Sequence, residues 1–223
     1  MSSRHPPERP HILVVCTANA IRSPFVEHLL RSRATKRGIQ GLEVASAGTA
    51  ARMGQPAEEE ARSLASDHGI SLEDHRTRLL TEQMLHPDTT VLCAERMHRR
   101  AVLRMRPDLI STVFTIREFA RLVEVSRTPD VVDTWTALVA GAASARFRDR
   151  HVAEIDDDII DPIAQDTSVW AEFERHAVAA VDTVANALPM LVSRHGLSGA
   201  SPAQLTRRQL REARRTNALV AHP

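Results

Sequence analysis

A short apolar run near the amino end of the chain constrains the fold more than any other feature. Residues 11–15 read His-Ile-Leu-Val-Val, and the run ends abruptly at Cys16. Its apolar residues are continuous rather than alternating with polar ones, which predicts a strand buried on both faces, as in a parallel sheet. Cys16 is therefore expected where this buried strand ends.

A helix is predicted shortly after this strand. Ser23 is a good N-cap residue, and Pro24 suits the first helical position, where its missing N–H costs no hydrogen bond. Apolar residues then recur at helical spacing, and Gly38 can end the helix. These apolar residues are Phe25, Val26, Leu29 and Leu30.

The loop between strand and helix carries the chemistry. Backbone N–H groups of a loop at a helix N-terminus form a site for anions, and Arg22 adds a planar fork that can hold two oxygens of a phosphate-like group. The positive electrostatic potential of these N–H groups and of Arg22 also favours the thiolate of Cys16, to which Ser23 could donate a hydrogen bond. The loop therefore predicts a nucleophilic cysteine beneath a bound oxyanion.

Strand and helix patterns alternate along the rest of the chain. This alternation predicts an α/β fold with a central twisted parallel sheet of about four strands and helices on both faces. Further strands are predicted at 42–46, 90–94 and 113–114, and helices at 57–68, 95–105, 116–124, 131–147 and 168–195.

The expected domain organisation has one folded unit, residues 11–196, after a flexible leader, residues 1–10. Residues 126–155 form an insertion, whose predicted helix is either a surface helix packed by Trp135, Leu138 and Val139 or a lid over the site. Residues 197–223 form a basic tail, which is either solvated or, over 201–215, a contact for an anionic partner.

Composition excludes several classes of protein. The chain of 223 residues has 43% hydrophobic and 26% charged residues, with no membrane-spanning run and no apolar signal sequence. Its two cysteines make no disulfide framework, so a cytoplasmic protein is expected. The net charge of +1 gives no pull toward nucleic acid, and the 11 histidines show no metal-ligand spacing. Nothing in the pattern indicates an oligomeric state.

Several separated motifs carry a family resemblance. The run from Cys16 to Pro24, Cys-Thr-Ala-Asn-Ala-Ile-Arg-Ser-Pro, with Glu27 after it, resembles the signature loop of the bacterial low-molecular-weight protein tyrosine phosphatases. Further matches follow in the family's order, and the resemblance covers roughly residues 11–195. They are Ser46-Ala47-Gly48-Thr49, Gly69-Ile70, His75, Arg78 and Asp161-Pro162.

The resemblance implies a phosphomonoester hydrolase that needs no cofactor. Cys16 attacks phosphorus and forms a phosphocysteine, while Arg22 and the loop hold the phosphoryl oxygens. Asp161 is the implied proton donor to the leaving group, with Asp156, Asp157 and Asp158 as rivals. The implied substrate-binding residues are Thr17, Ala18, Asn19, Ala20, Ile21 and Ser23.

Two further roles concern the surroundings of the loop. In the family, residues matching Asn19, Ser46 and His75 hydrogen-bond together and brace the loop, so this role is expected here. Asn19 is also expected in a strained backbone conformation, which Asn tolerates better than most residues. Cys93 ends a predicted strand at the edge where Cys16 lies, and a buried, inert thiol is expected there.

Departures from the family pattern bear on the substrate. Ala18 replaces a usual Gly, Ile21 replaces a cysteine that some members have, and Ile163 replaces a frequent Tyr; the chain contains no tyrosine at all. The expected walls for a substrate ring are Thr17, Ala20 and Ile163, joined by Trp135 if the insertion reaches the site. The chemistry is therefore expected to be intact and the aryl-binding surface reduced.

Three functions remain open from the sequence. The first is a phosphatase acting on phosphotyrosine proteins or a smaller aryl phosphate. The second is an arsenate reductase of the same fold that borrows a low-molecular-weight thiol, because the chain lacks the cysteines of an internal relay. The third is a phosphate-binding regulator with weakened catalysis. The retained Ser23-Pro24 and Asp161-Pro162 favour the phosphatase.

Overall fold

The computed structural model describes residues 11–39, 41–126, 134–148 and 157–197. The predicted leader 1–10 lies outside the described residues, as do 198–223 of the predicted tail and 127–133 and 149–156 of the predicted insertion. Among the described residues, none of the helices combines the length and apolarity that a membrane crossing requires.

A four-stranded parallel sheet forms the centre of the fold, in the order β2-β1-β3-β4. The strands are β1 (His11–Cys16), β2 (Glu43–Gly48), β3 (Thr89–Cys93) and β4 (Val113–Thr115). The last residue of β1, Cys16, pairs with Gly48 of β2, while Val15 pairs with Cys93 of β3. The carboxyl ends of three strands therefore meet at one edge of the sheet.

Helices follow the strands at the predicted places, with bounds that differ by a few residues. They are α1 (Arg22–Lys36), α2 (Glu59–Asp67), α3 (Arg96–Met105), α4 (Ile116–Ser126), α5 (Trp135–Arg148) and α6 (Thr167–Leu197). Short 3-10 helices lie at Glu82–Met84 and Pro107–Leu109. Gly38 ends α1 as predicted: its φ is +71°, and its N–H donates to the carbonyl of Thr35.

Alternate residues of β1 face two separate apolar clusters. Ile12 and Val14 pack in the larger cluster, which includes residues of α1, α4, α5 and α6. Leu13 and Val15 pack in the smaller one, which includes Val102 of α3. Because successive side chains of a strand point to opposite faces, the sheet is covered by helices on both sides. The predicted α/β fold class is confirmed.

Helix α5, the described part of the insertion, packs as a surface helix rather than as a lid. Trp135, Leu138 and Val139 are buried, and the indole N–H of Trp135 donates to Thr90 Oγ1 at 2.9 Å. Thr90 pairs with Ile12, near the amino end of β1, so Trp135 lies at the end of the sheet opposite Cys16. The prediction that Trp135 joins the walls of the substrate site is therefore wrong.

Candidate active site

The loop between β1 and α1 leaves the first turn of the helix without a side-chain cap. Helix α1 begins at Arg22 and its N-cap residue is Ile21; among the described residues, no side chain caps its first amides. The prediction of Ser23 as the N-cap is wrong, because Ser23 lies inside the first turn. The uncapped amides, at the positive end of the helix dipole, suit an anion.

Ser23 uses its hydroxyl on the nucleophile instead. Its Oγ lies 3.0 Å from the Sγ of Cys16 and accepts a hydrogen bond from Asn19 Nδ2 at 2.9 Å, so the hydroxyl hydrogen can be donated to sulfur. The backbone N–H of Asn19 also points at Sγ, at 3.3 Å. Hydrogen-bond donors that point at sulfur stabilise the thiolate relative to the thiol, and the thiolate is the nucleophilic form.

Asn19 is the centre of a hydrogen-bond network that holds the loop. It is fully buried with φ +57°, in the left-handed region. Its Nδ2 donates to Ser46 Oγ at 2.8 Å, its carbonyl oxygen lies 2.7 Å from His75 Nε2, and its Oδ1 accepts from the backbone N–H of Arg78 at 2.8 Å. The structure thus brings together Asn19, Ser46 and His75, which the sequence analysis grouped.

Gly48 allows β2 to pass directly beneath the loop. A Cβ at this residue would lie 2.4 Å from the carbonyl oxygen of Thr17 and 2.8 Å from the backbone nitrogen of Asn19. The next residue, Thr49, donates its N–H to the carbonyl oxygen of Cys16 at 2.9 Å. Only glycine fits this close approach of two backbones, so Gly48 sets the position of the loop.

Arg22 is held between two carboxylates. Its side chain is 3% exposed; Nη2 lies 2.5 Å from Asp161 Oδ2, and Nη1 lies 3.2 Å from Glu95 Oε1. Glu95 was not among the site residues predicted from the sequence. Its position just after β3 could have indicated it. Because β3 lies next to β1 and runs parallel to it, the residues that follow β3 lie beside the loop that follows β1.

Asp161 is the aspartate of this segment that faces Arg22. Asp157 forms an ion pair with Arg121 at 2.7 Å, and Asp158 accepts from the backbone N–H of Arg96 at 2.9 Å, so these two rivals have structural partners. The third rival, Asp156, lies outside the described residues. The side chain of Asp161 is 38% exposed, which leaves it accessible to a substrate.

His98 was also missed by the sequence analysis, although it is fully buried beside the loop. Its Nε2 lies 2.8 Å from Thr17 Oγ1, and its Nδ1 accepts from the backbone N–H of Glu95 at 3.1 Å. Burial, reinforced by the charge of Arg22, lowers the pKa of His98 to about 4. The ring is therefore neutral at pH 7.

The remaining predicted loop residues differ in exposure. Ala18 is exposed and Thr17 half-buried, whereas Ala20 and Ile21 are buried. Ile163, two residues after Asp161, is 47% exposed. Thr17 and Ile163 are therefore accessible to a substrate group, while Ala20 offers little surface.

Two further sets of side chains have metal-binding or thiol chemistry. Cys93 is fully buried as predicted, and burial raises the pKa of its thiol.

Among the described residues, Glu27, His28 and His75 bring ligand atoms within 4.8 Å of one another, and burial lowers the pKa of both histidines. Arg31 already pairs with Glu27 at 2.9 Å, so this carboxylate has a protein partner.

Together, these residues define a class of enzyme. A cysteine sulfur that accepts a backbone N–H lies at the base of the loop, an arginine lies at the start of the following helix, and an aspartate faces that arginine. This arrangement at the carboxyl edge of a parallel sheet is that of cysteine-dependent phosphatases, which transfer a phosphoryl group to sulfur.

Comparison with known proteins identifies the family. Residues 11–135 match the family model described as low molecular weight phosphotyrosine protein phosphatase. The low molecular weight protein-tyrosine-phosphatase Etp of Escherichia coli (strain K12) is 36% identical over 119 residues, which cover 53% of this chain and 75% of Etp. The chain therefore belongs to the low-molecular-weight protein tyrosine phosphatase family and is a cysteine-dependent phosphatase.

Solved structures share the fold. The low molecular weight protein tyrosine phosphatase from T. tengcongensis has a TM-score of 0.60 at 24% identity, covering 79% of this chain and 98% of that one. The YwlE arginine phosphatase from Geobacillus stearothermophilus has a TM-score of 0.59 at 23% identity, covering 86% of this chain and 98% of that one. At such identities the likeness concerns the fold alone.

Proposed function

We propose that the chain hydrolyses phosphomonoesters through a phosphocysteine formed on Cys16. The observation that carries this proposal is the pairing of Arg22 with Asp161 at 2.5 Å beside the loop that contains Cys16. In the first step the Cys16 thiolate bonds to phosphorus, the ester P–O bond breaks, and protonated Asp161 gives its proton to the leaving oxygen. In the second step Asp161 takes a proton from water, which displaces sulfur and releases phosphate.

The proposed substrate is phosphotyrosine in a protein, or a smaller aryl phosphate. The printed name of Etp and the family description support phosphotyrosine. The half-exposed Ile163 supports a modest apolar contact for an aryl ring, consistent with the reduced aryl-binding surface expected from the sequence. Because a structure of the same fold is named an arginine phosphatase, phosphoarginine belongs among the substrates tested.

The setting that we propose is the bacterial cytoplasm. The relatives are bacterial, and a free thiol nucleophile suits a reducing compartment. Within this proposal residues 11–196 are the catalytic unit, residues 1–10 are a leader, and residues 197–223 are a basic tail.

The test is a turnover panel of phosphotyrosine peptide, phosphoserine peptide, phosphoarginine and p-nitrophenyl phosphate. Cys16→Ser should abolish turnover and retain phosphate binding, while Cys93→Ala, which removes the other thiol, should keep most of the activity. Turnover of none of the four by a folded chain would refute the proposed function.

Arsenate with added thiol is the discriminating arm of the panel. The family match favours the phosphatase over the arsenate reductase that the sequence left open. Thiol-dependent arsenite formation without any ester hydrolysis would reverse this preference. Tight phosphate binding without either reaction would indicate the regulator instead.

A further inference from the structure

The protonation of His98 follows from its two hydrogen bonds. The backbone N–H of Glu95 donates to Nδ1 at 3.1 Å, so this nitrogen carries no hydrogen. In a neutral imidazole the hydrogen then resides on Nε2. The ring is neutral at pH 7 because it is fully buried next to the charged Arg22. His98 is therefore fixed as a donor toward Thr17.

The Thr17 hydroxyl oxygen accepts two hydrogen bonds. Its Oγ1 accepts from His98 Nε2 at 2.8 Å and, more weakly, from Arg22 Nη2 at 3.4 Å. A hydroxyl oxygen has two lone pairs and one hydrogen, so both acceptor positions are in use. Within the described part of the chain, no side chain or carbonyl accepts the hydroxyl hydrogen. This hydrogen is left for another partner.

The position of Thr17 indicates that partner. Thr17 is half-buried, and exposed Ala18 follows it at the mouth of the loop. Its Oγ1 is also a neighbour of Arg22 Nη2, which holds a phosphoryl oxygen in the proposed reaction. An oxygen bound to this guanidinium is therefore close to the unused hydroxyl donor.

We propose that His98 is a positioning residue that turns the Thr17 hydroxyl hydrogen toward a phosphoryl oxygen of the bound substrate. The inference rests on the proposed phosphatase site, since it adds a donor to the oxygens that Arg22 holds. No covalent step is involved. The added donor strengthens as charge grows on the phosphoryl group in the transition state.

The test begins with phosphate affinity, which does not depend on turnover. In the Cys16→Ser background, Thr17→Val removes the hydroxyl and keeps the shape, so the affinity for inorganic phosphate should fall about tenfold by calorimetry. Thr17→Ser keeps a hydroxyl and should stay within about threefold. Equal phosphate affinities of Thr17→Val and Thr17→Ser would overturn the proposal, whatever the enzyme's substrate proves to be.

A double-mutant cycle then tests the role of His98. The shorter Asn side chain can replace only Nδ1 of His98 and loses the hydrogen bond to Thr17. The amide nitrogen of Gln can reach the position of Nε2 and donate to Thr17 in its place. His98→Asn should therefore weaken phosphate binding about fivefold, and His98→Gln should restore most of it. If His98 acts through Thr17, the double variant Thr17→Val/His98→Asn binds phosphate no more weakly than Thr17→Val alone. Losses that add would show a separate structural role and overturn the proposal.

Kinetics on the intact nucleophile give an independent readout. Thr17→Val should lower kcat/KM about equally for aryl phosphates with good and poor leaving groups, because the donor acts on a non-bridging oxygen. A loss confined to poor leaving groups would place the hydroxyl at the leaving oxygen and contradict the proposal. Circular dichroism and thermal midpoints confirm the fold of each variant; if His98→Asn does not fold, the Thr17 pair decides the outcome.

Discussion

Arg22 Nη2 lies 2.5 Å from Asp161 Oδ2, so the guanidinium that we assign to the substrate is paired with the proposed acid. Glu95 lies on its other side at 3.2 Å. A dianionic phosphate monoester must compete with Asp161 for this guanidinium. The two carboxylates thus hold the Arg22 guanidinium in a fixed orientation beside the loop.

Replacing Asp161 should affect substrates according to their leaving groups. Asp161→Ala removes the proton donor, so kcat for phenyl phosphate should fall roughly 100- to 1,000-fold, while kcat for p-nitrophenyl phosphate should fall much less. Asp166→Asn is the matched control in the same loop, since it changes a carboxylate that bonds to Ser168 instead of Arg22. Equal losses for both substrates in Asp161→Ala would contradict the acid role.

Adding one methyl group at Gly48 should displace the loop. A Cβ there would lie 2.4 Å from the Thr17 carbonyl oxygen, so Gly48→Ala should lower kcat/KM at least 100-fold and destabilise the fold by about 2 kcal/mol. Gly141→Ala, inside α5, is the control. A Cβ at this residue would lie at an ordinary distance of 3.6 Å from the Cβ of Ser126, the last residue of α4. This second change should stabilise the protein by about 0.5–1 kcal/mol, as measured by urea unfolding.

Removing the Ser23 hydroxyl should weaken the nucleophile. Ser23→Ala deletes the donor 3.0 Å from Cys16 Sγ and leaves Asn19 Nδ2 with one partner fewer, so kcat should fall roughly 10- to 100-fold at pH 7. Iodoacetate labelling of Cys16, followed by mass spectrometry, should slow in parallel. Ser66→Ala, on the exposed side of α2, should change neither rate; unaltered kcat in Ser23→Ala would argue against the assignment.

Buried neutral histidines should make the protein less stable in mild acid. The pKa of His98 is lowered to about 4 in the fold, while an unfolded histidine titrates near 6.5. Between these values the unfolded chain binds more protons, so the free energy of unfolding should fall as pH decreases from about 6.5 to about 4. The lowered pKa values of His28 and His75 act in the same direction.

Urea unfolding at pH 7 and pH 5 checks this dependence. His98→Gln removes one titrating group and should reduce the difference in unfolding free energy between the two pH values. His86→Gln makes the same substitution at an exposed histidine and is the control. A dependence that is identical in all three proteins would exclude His98 as a source.

The nucleophile loop could be predicted from sequence because its parts are local. An uninterrupted apolar run, a short loop and a helix N-terminus follow one another in the sequence. They place Cys16 and Arg22 at the two ends of one short loop, whatever the rest of the chain does. Glu95 and His98 could not be found in this way. They reach the loop only because β3 lies next to β1, a neighbour relation that no local pattern contains.

Two wrong predictions have physical reasons of their own. Ser23 is a common type of capping residue, but here its hydroxyl bonds to Cys16 and Asn19, and the helix starts two residues earlier than predicted. Trp135 is an additional wall of the site only in the interpretation in which the insertion reaches the site, where the family's aromatic residue is missing. Packing decided its position instead, since an indole can bury its ring against Phe119 and still bond to Thr90.

The attachment of α5 at the far end of the sheet offers a place for labels. Ala137, Ala140 and Ser144 are exposed along this helix. A fluorophore or an affinity handle fixed at Ala137, two residues after Trp135, would lie toward the end of the sheet opposite Cys16.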